Sequence, residues 1–597
     1  MELFLSYIMS VLKFMHIALS LLILIRCLRS LLSQSYEPEV WAYIKQGEKM
    51  MPVLHWENII GRAPSSDLRV AQQGMSRVHA VLKRNDRGRW LIYDIFSKGG
   101  VWVNSQRVTE KGTELVSGDV LNLGGNILEF YDITNEKHQQ LESSRTSAGC
   151  SVSPGTTLFQ LTLFQVLLLA EHMVFAGRGE HLPIAAGFGA VIAMEWLCYY
   201  AMRLMKRSGF EVETLAFYLS TLGMSVAASS TPEDMYKQAI LLFASVLLFL
   251  FNGWWLRNLR RTAFMRIPIA LAALALLAVN VVTSDAVFGA RNWLEIGGFS
   301  FQPSELVKAA YIYVGAATLD NLYRRKNLYG FIGFSAVCVM ALALIGDFGT
   351  ALIFFVSFLV ISFMRSGSIA TVFLAVTGAG LAGFLAVSVK PYIAQRFAIW
   401  GHVWEDVYDK GYQQTRAMSA AAAGGLFGKG AGSGWLKDIF AANTDMVFAL
   451  ICEELGLVIA ICMVIAVLAL AFFAVRSARH SRSAFYSIAA CATVSMLMVQ
   501  LALNVFGSLD ILPFTGVTFP FVSRGGSSLI SCWILMAYIK SADTRRDASF
   551  AVKPVREIDE PEDEEEFMDE DCLPQHDSYN YIDDEDNWYT LEGDDLD

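Results

Sequence analysis

Apolar and polar residues alternate along this chain on different length scales, and each scale predicts a different structure. From Leu3 to Ile25 nearly every position is apolar, and Arg26 and Arg29 follow at once. No basic segment precedes this run and no small-residue cleavage site follows it. It therefore predicts a retained membrane anchor over residues 1–33, starting outside and ending in the cytoplasm. Residues 36–133 change character: short runs such as Arg89–Tyr93, Val101–Val103 and Val120–Leu123 alternate apolar with polar positions between Gly, Asn and Asp turns. That period of two predicts a small antiparallel all-β domain, and residues 134–156, rich in Ser, Thr and Gln, read as a linker.

Long apolar segments return near 157–177, 183–205, 212–230, 236–256, 267–284, 303–320, 328–345, 349–364, 369–389, 446–475, 484–508 and 523–541. At 1.5 Å rise per residue each crosses, or nearly crosses, a hydrocarbon layer of about 30 Å. The loop charges fix the register. With the β domain inside, the loops Arg203–Arg207, Arg257–Arg266, Arg324–Lys326, Arg365, Arg476–Arg482 and Lys540–Arg546 are all inner and all basic. Glu233, Asp234, Asp285 and the long segment 390–445 fall outside. A shift by one helix would invert half of this pattern. The fold class is therefore a polytopic α-helical membrane protein with a small all-β cytoplasmic domain.

Composition agrees: 54% hydrophobic and 17% charged residues exclude an ordinary soluble enzyme. The net charge of -10 hides a split, because about twenty acidic side chains follow Arg556 and the remainder is net basic, at about +10. The tail 542–597 has no periodicity and is expected to be disordered. The nine cysteines show no C-x-x-C spacing, so neither a zinc site nor a disulfide framework is expected. No nucleic-acid partner is expected.

Charged residues inside apolar segments are the first chemical candidates. Glu305 and Lys308, three apart on one helical face, can pair or share a polar cavity, either pinning helices or lining a groove. Asp347 is a membrane-embedded carboxylate and a functional candidate for the same reason. Asp445 closes the long outer segment at the start of a helix, a position that by itself suits a carboxylate favoured by the helix dipole. Gly424, Gly425, Gly428 and Gly430 form no Walker motif, since no G-K-[ST] ends the run, and suit tight turns.

Four motifs in 212–541 resemble the SEDS family of FtsW, RodA and SpoVE, the peptidoglycan glycosyltransferases of cell shape, division and sporulation. They are GARNWLEIGGFSFQPSELVK at 289–308, GDFGTA at 346–351, the series GYQ at 411, GGLFGKGAGSG at 424–434 and NTDMVFALICEELG at 443–456, and LPFTGVTFPFVSRGGSSL at 512–529. The resemblance implies a SEDS-like bundle over 212–541, with the helices of 157–205 as additions, in a bacterial cytoplasmic membrane. It also implies polymerisation of lipid II at the outer face and a separate class B penicillin-binding protein as transpeptidase partner. Asp445 would then be catalytic, and Arg291, Trp293, Glu305, Lys308, Asp347, Arg396, Lys429, Ser523 and Arg524 would bind substrate, the cations meeting diphosphate or lipid headgroups. No cofactor is assigned, and a divalent cation is left open. The sequence departs from the family at Asn443, Gly346 and Arg524, where His, Pro and Tyr are usual. A lipid II flippase and a non-catalytic scaffold remain alternatives.

The β domain resembles forkhead-associated (FHA) modules through IIGR at 59–62, SRVHA at 76–80 and VNSQRV at 103–108. This implies binding of a phosphothreonine protein by Arg62, Ser76 and Arg77, with His79 structural. Ser97-Lys-Gly-Gly stands where the module usually reads S-T-N-G, so the ligand-holding Asn is missing.

Overall fold

A computed structural model describes residues 2–33, 39–63, 66–85, 88–109, 111–144, 152–284, 292–296, 299–319, 326–366, 369–389 and 391–551. The first apolar run forms α1 (Glu2–Ser33). The alternating region forms β1 (Ala42–Gln46), β2 (Lys49–Val53), β3 (Glu57–Gly61), β4 (Leu68–Arg69), β5 (Ala80–Arg84), β6 (Trp90–Asp94), β7 (Val101–Val103), β8 (Gln106–Arg107), β9 (Thr113–Leu115), β10 (Val120–Leu123) and β11 (Asn126–Asp132). They pair as two sheets, ordered β2-β1-β11-β10-β7-β8 and β4-β3-β5-β6-β9. Side chains alternate faces along a strand, so Trp90 and Ile92 of one sheet and Leu121, Leu123, Leu128 and Phe130 of the other are buried in one core. The stretch read as a linker starts instead with a helix, α2 (Asn135–Ser144), whose His138 ring stacks on Trp41 at 4.3 Å.

The membrane part runs through α3 (Pro154–Phe175), α4 (His181–Leu204), α5 (Glu211–Ser230), α6 (Met235–Trp255) and α7 (Leu259–Thr283) to a hairpin of β12 (Leu294–Ile296) and β13 (Phe299–Phe301). It continues with α8 (Pro303–Leu319), α9 (Lys326–Ile345), α10 (Phe348–Ser366), α11 (Ile369–Val389), α12 (Pro391–Ile399), α13 (Tyr412–Gly424), α14 (Val447–Leu455), α15 (Leu457–Arg479), α16 (Ala484–Ser508) and α17 (Gly526–Ala542). Among the described residues eight helices are long and apolar enough to cross a membrane. α5 is not among them, because its composition is more polar, and every residue from Glu211 to Ala228 is buried. A helix enclosed by other helices never meets lipid, so Glu213, Thr214, Thr221 and Ser225 are tolerated where they have partners.

Two expectations need correction. The span read as continuous over 446–475 breaks at Gly456, whose φ of +94° ends α14 and starts α15. The tail read as disordered from 542 is packed as far as Ala551: Arg545 pairs with Asp543 at 2.8 Å and with Glu211 at 3.4 Å, and the Phe550 ring packs tilted against Phe249 with centroids 5.1 Å apart. Residues 552–597 lie outside the described ones.

The two ends of the bundle are marked by α1. Near its start, Lys13 Nζ donates to the Gly428 carbonyl at 2.9 Å; near its end, Ser30 Oγ donates to Glu211 at 2.6 Å. Seventeen residues of helix separate these contacts, about 25 Å. The β-sandwich sits at the second end. There Trp56 N–H donates to the Arg482 carbonyl at 2.6 Å, His55 Nδ1 lies 2.7 Å from the Ser481 carbonyl, and the buried Arg482 guanidinium pairs with Glu39. Arg482 also donates to the Asp543 carbonyl at 3.3 Å, so the sandwich, the α15–α16 turn and the segment after α17 share one junction.

Candidate active site

The loop between α16 and α17 threads back into the end of the bundle away from the sandwich and collects the candidate residues around it. Asn504, near the C-terminal end of α16, donates to the Asp445 carbonyl at 3.0 Å and the Val517 carbonyl at 2.8 Å. This ties the start of α14 to the returning loop. Gly516 has φ +67°, and a Cβ there would lie 3.0 Å from Asp445 Oδ2, so the carboxylate occupies the space a side chain would need. On the same loop Thr515 offers its carbonyl to the exposed Arg396 of α12 at 3.5 Å, and Thr518 Oγ1 donates to Glu305 at 3.3 Å. Gly349 packs so tightly on Val517 that a Cβ there would come within 2.5 Å of it.

Glu305 and Lys308 form the predicted pair at 2.6 Å, both almost fully buried at the start of α8. Asp347 caps α10: its Oδ1 accepts the Thr350 N–H at 3.0 Å, and its Oδ2 accepts from Gln302 Nε2 at 3.3 Å. The charges of Glu305 and Lys308 both act on Asp347, and Asp347 in turn acts on Asp445. Burial pushes the Asp445 carboxyl up to about 6, against the Thr444 hydrogen bond and the Arg396 charge, which both favour the ionised form; the Asp347 charge adds to the rise. A carboxylate of that proton affinity can take a proton from a neighbouring hydroxyl near neutral pH far better than an ordinary aspartate.

Other sequence candidates are placed differently. Ser523 Oγ donates to the Thr444 carbonyl at 2.5 Å and accepts from Phe519 N–H, so it holds the loop beside Asp445. Arg524 and Lys429, which the resemblance assigns to the substrate, each have a carboxylate partner within the protein. Arg524 pairs with Asp234, which also meets Lys237 at 3.0 Å, and Lys429 pairs with Glu453 at 2.8 Å. Trp293 is 39% exposed ahead of β12. Arg291 lies outside the described residues. Among the described residues no group of three His, Cys, Asp or Glu side chains has metal-holding geometry.

Sequence reasoning assigned no role to Glu453 and Glu454, and the structure makes them the hub of the glycine-rich loop. Glu453 accepts the Trp435 and Leu436 N–H groups at 3.2 and 2.9 Å, while Glu454 accepts the Gly432 N–H at 3.1 Å and Ser229 Oγ at 2.6 Å. Gly428, at φ +75°, abuts the Glu454 carbonyl. The signal available was two adjacent acids in an otherwise apolar run, which are costly in a membrane unless held by donors.

In the β-sandwich the predicted loops converge. Arg62 N–H donates to the Ser76 carbonyl at 3.0 Å, Lys98 N–H donates to Ser76 Oγ at 3.2 Å, and Arg62, Arg77 and Lys98 are exposed. A Cβ on Gly61 would strike the Arg77 carbonyl at 2.2 Å, which explains the glycine before Arg62. His79 accepts the Ser76 N–H at Nδ1, 3.0 Å, and its Nε2 lies 3.1 Å from the Gly100 carbonyl, so it is a buried strut.

With this geometry in hand, comparisons with known proteins give two family matches: the cell cycle protein family of FtsW, RodA and SpoVE over residues 210–548, and the FHA domain over 58–124. The chain is 32% identical over 299 residues to the probable peptidoglycan glycosyltransferase FtsW of Escherichia coli O6:H1, covering 47% of this chain and 71% of that protein. It is 31% identical over 308 residues to the stage V sporulation protein E of Bacillus subtilis, covering 48% and 81%. A solved chain from a peptidoglycan synthase complex is 26% identical, covering 57% of this chain and 98% of that one, with a TM-score of 0.48.

Proposed function

Because the chain belongs to the FtsW/RodA/SpoVE family of cell cycle proteins and carries an FHA domain, we propose that it polymerises lipid II into glycan strands at the outer face of the cytoplasmic membrane. The observation that carries this reading is the recessed Asp445 carboxylate, raised to about 6, against Gly516 of the loop whose Thr515 and Thr518 bond Arg396 and Glu305. In the reaction the 4-hydroxyl of one GlcNAc attacks the anomeric carbon of a MurNAc bearing undecaprenyl pyrophosphate. Asp445 accepts the hydroxyl proton, the new C–O bond forms, and the pyrophosphate leaves toward Arg396 with the bonding pair. A class B penicillin-binding protein is the partner that crosslinks the product. Purified protein given lipid II tests this: glycan polymer supports the reading, transport of lipid II without polymer would make the protein a flippase, and neither would leave a scaffold.

A base must be ionised to work, so the rate should be flat above about pH 6 and fall roughly tenfold per pH unit below it. Initial polymerisation rates measured across the acid range check this, and the limb should vanish in Asp445→Asn.

The FHA domain, on the cytoplasmic side in this reading, binds a phosphothreonine protein through Arg62, Ser76 and Arg77. Charge-assisted bonds to the phosphate are unavailable to plain threonine. Arg62→Ala in the full-length protein should abolish binding of phosphothreonine peptides while the thermal unfolding profile stays unchanged. Equal affinity of the unmodified protein for phosphorylated and unphosphorylated peptides would remove phospho-recognition.

A further inference from the structure

The helices α1 and α3 precede residue 210, where the family match begins, yet they touch the loop that leads to Asp445. Lys13 of α1 gives its ammonium to the Gly428 carbonyl at 2.9 Å, and Phe14 packs on Phe427 with ring centroids 5.1 Å apart. Glu171 of α3, paired with His16 of α1 at 3.3 Å, faces the Ala431 amide. The next residue, His172, bonds Ser225 of α5 at 2.9 Å and closes on Gly432, where a Cβ would lie 3.3 Å from its Nδ1. On its other side the same loop is gripped by Glu453 and Glu454 of α14, the helix that begins just after Asp445.

We infer that α1 and α3 are an in-built clamp that positions the 424–434 loop and, through α14, the carboxylate of Asp445, with Lys13 as a positioning residue for polymerisation. Two physical points support it. A lysine ammonium at the edge of an apolar bundle needs acceptors, and here Lys13 bonds a backbone carbonyl of the loop while its charge also acts on Glu171 of α3. The loop also hydrogen-bonds to α14 and to Leu457 and Val458 at the start of α15, while Asn504, Ser523 and the Arg524 N–H tie only the entry to α14 to the α16–α17 loop; without α1 and α3 the 424–434 loop and the far end of α14 lose their remaining support, and a tilt of α14 would displace Asp445. A base displaced by an ångström loses on the order of 100-fold.

This inference rests on the polymerase reading, so its test carries a second readout. In the full-length protein, Lys13→Met should lower kcat for lipid II polymerisation by about 10-fold to 100-fold with KM changed by less than about twofold, because the clamp acts on geometry rather than on substrate affinity. Lys13→Arg, which keeps a donor and charge, should recover most of the rate. Trypsin should also cleave after Lys429 and Lys437 faster in Lys13→Met than in the unmodified protein. Unmodified rates of both polymerisation and cleavage in Lys13→Met, or no recovery in Lys13→Arg, would overturn the clamp. If the unmodified protein makes no polymer, the polymerase reading fails, and loop protection by Lys13 alone then decides whether the clamp exists.

Discussion

Replacing Asp445 with asparagine should lower glycan synthesis from lipid II by about 100-fold to 10,000-fold, the range that a positioned general base supplies. Asparagine keeps the shape that fits beside Gly516 and leaves the Asn504 bonds intact, since those go to backbone carbonyls. What is lost is the basic oxygen. Lipid II binding and assembly with a transpeptidase should therefore survive, and both are to be measured alongside strand formation. A near-normal rate in the variant would demote Asp445 to a helix-end carboxylate and make Asp347 the next residue to test. It is already linked to Asp445 by charge and held at the start of α10.

The second large effect should come from the Glu305–Lys308 pair. Both side chains are almost fully buried, so removing one strands the other charge, a loss of about 3–5 kcal/mol in comparable cases. Lys308→Met should lower the thermal midpoint in detergent sharply and cut polymerisation with it. Replacing both, Glu305→Leu with Lys308→Met, removes the stranded charge and should restore most of the stability, since a well-packed apolar pair is often as stable as a buried ionic one. Polymerisation separates the two roles of the pair. If it returns with stability, the pair only pins helices. If the double variant is stable but inactive, the charges serve the groove, as the bond from Thr518 of the returning loop to Glu305 suggests.

Much of the helix framework was legible in the sequence because the bilayer imposes one length on every lipid-facing span, and that length appears as an uninterrupted apolar run. The sandwich was legible for a similar reason: alternate burial writes itself as alternate polarity. What stayed hidden depends on partners far away in sequence or on backbone groups. The Glu39–Arg482 pair joins residues in different regions of the chain, and neither carries a local signal of the other. Glu453 is satisfied chiefly by main-chain N–H groups and by Lys429, and main-chain donors have no residue type to read. The break at Gly456 was unreadable because a single glycine inside an apolar run is common in membrane helices, and only its positive φ distinguishes a hinge from a spacer. The packed start of the tail was missed because its sequence is polar; Arg545 and Asp543 are buried by pairing, not by hydrophobicity.

The junction of Glu39, His55 and Trp56 with Ser481 and Arg482 changes what recruitment by the sandwich would mean. A domain on a loose tether samples a cloud of positions, and anything it captures is diluted through that volume. Here several bonds meet at one turn between two membrane helices, so a captured protein would be presented at a single bearing and height above the membrane surface. Geometry then selects among ligands as strictly as chemistry does. A phosphorylated segment too short to reach the loops around Arg62 from its own membrane attachment would be excluded, however well its phosphate fits.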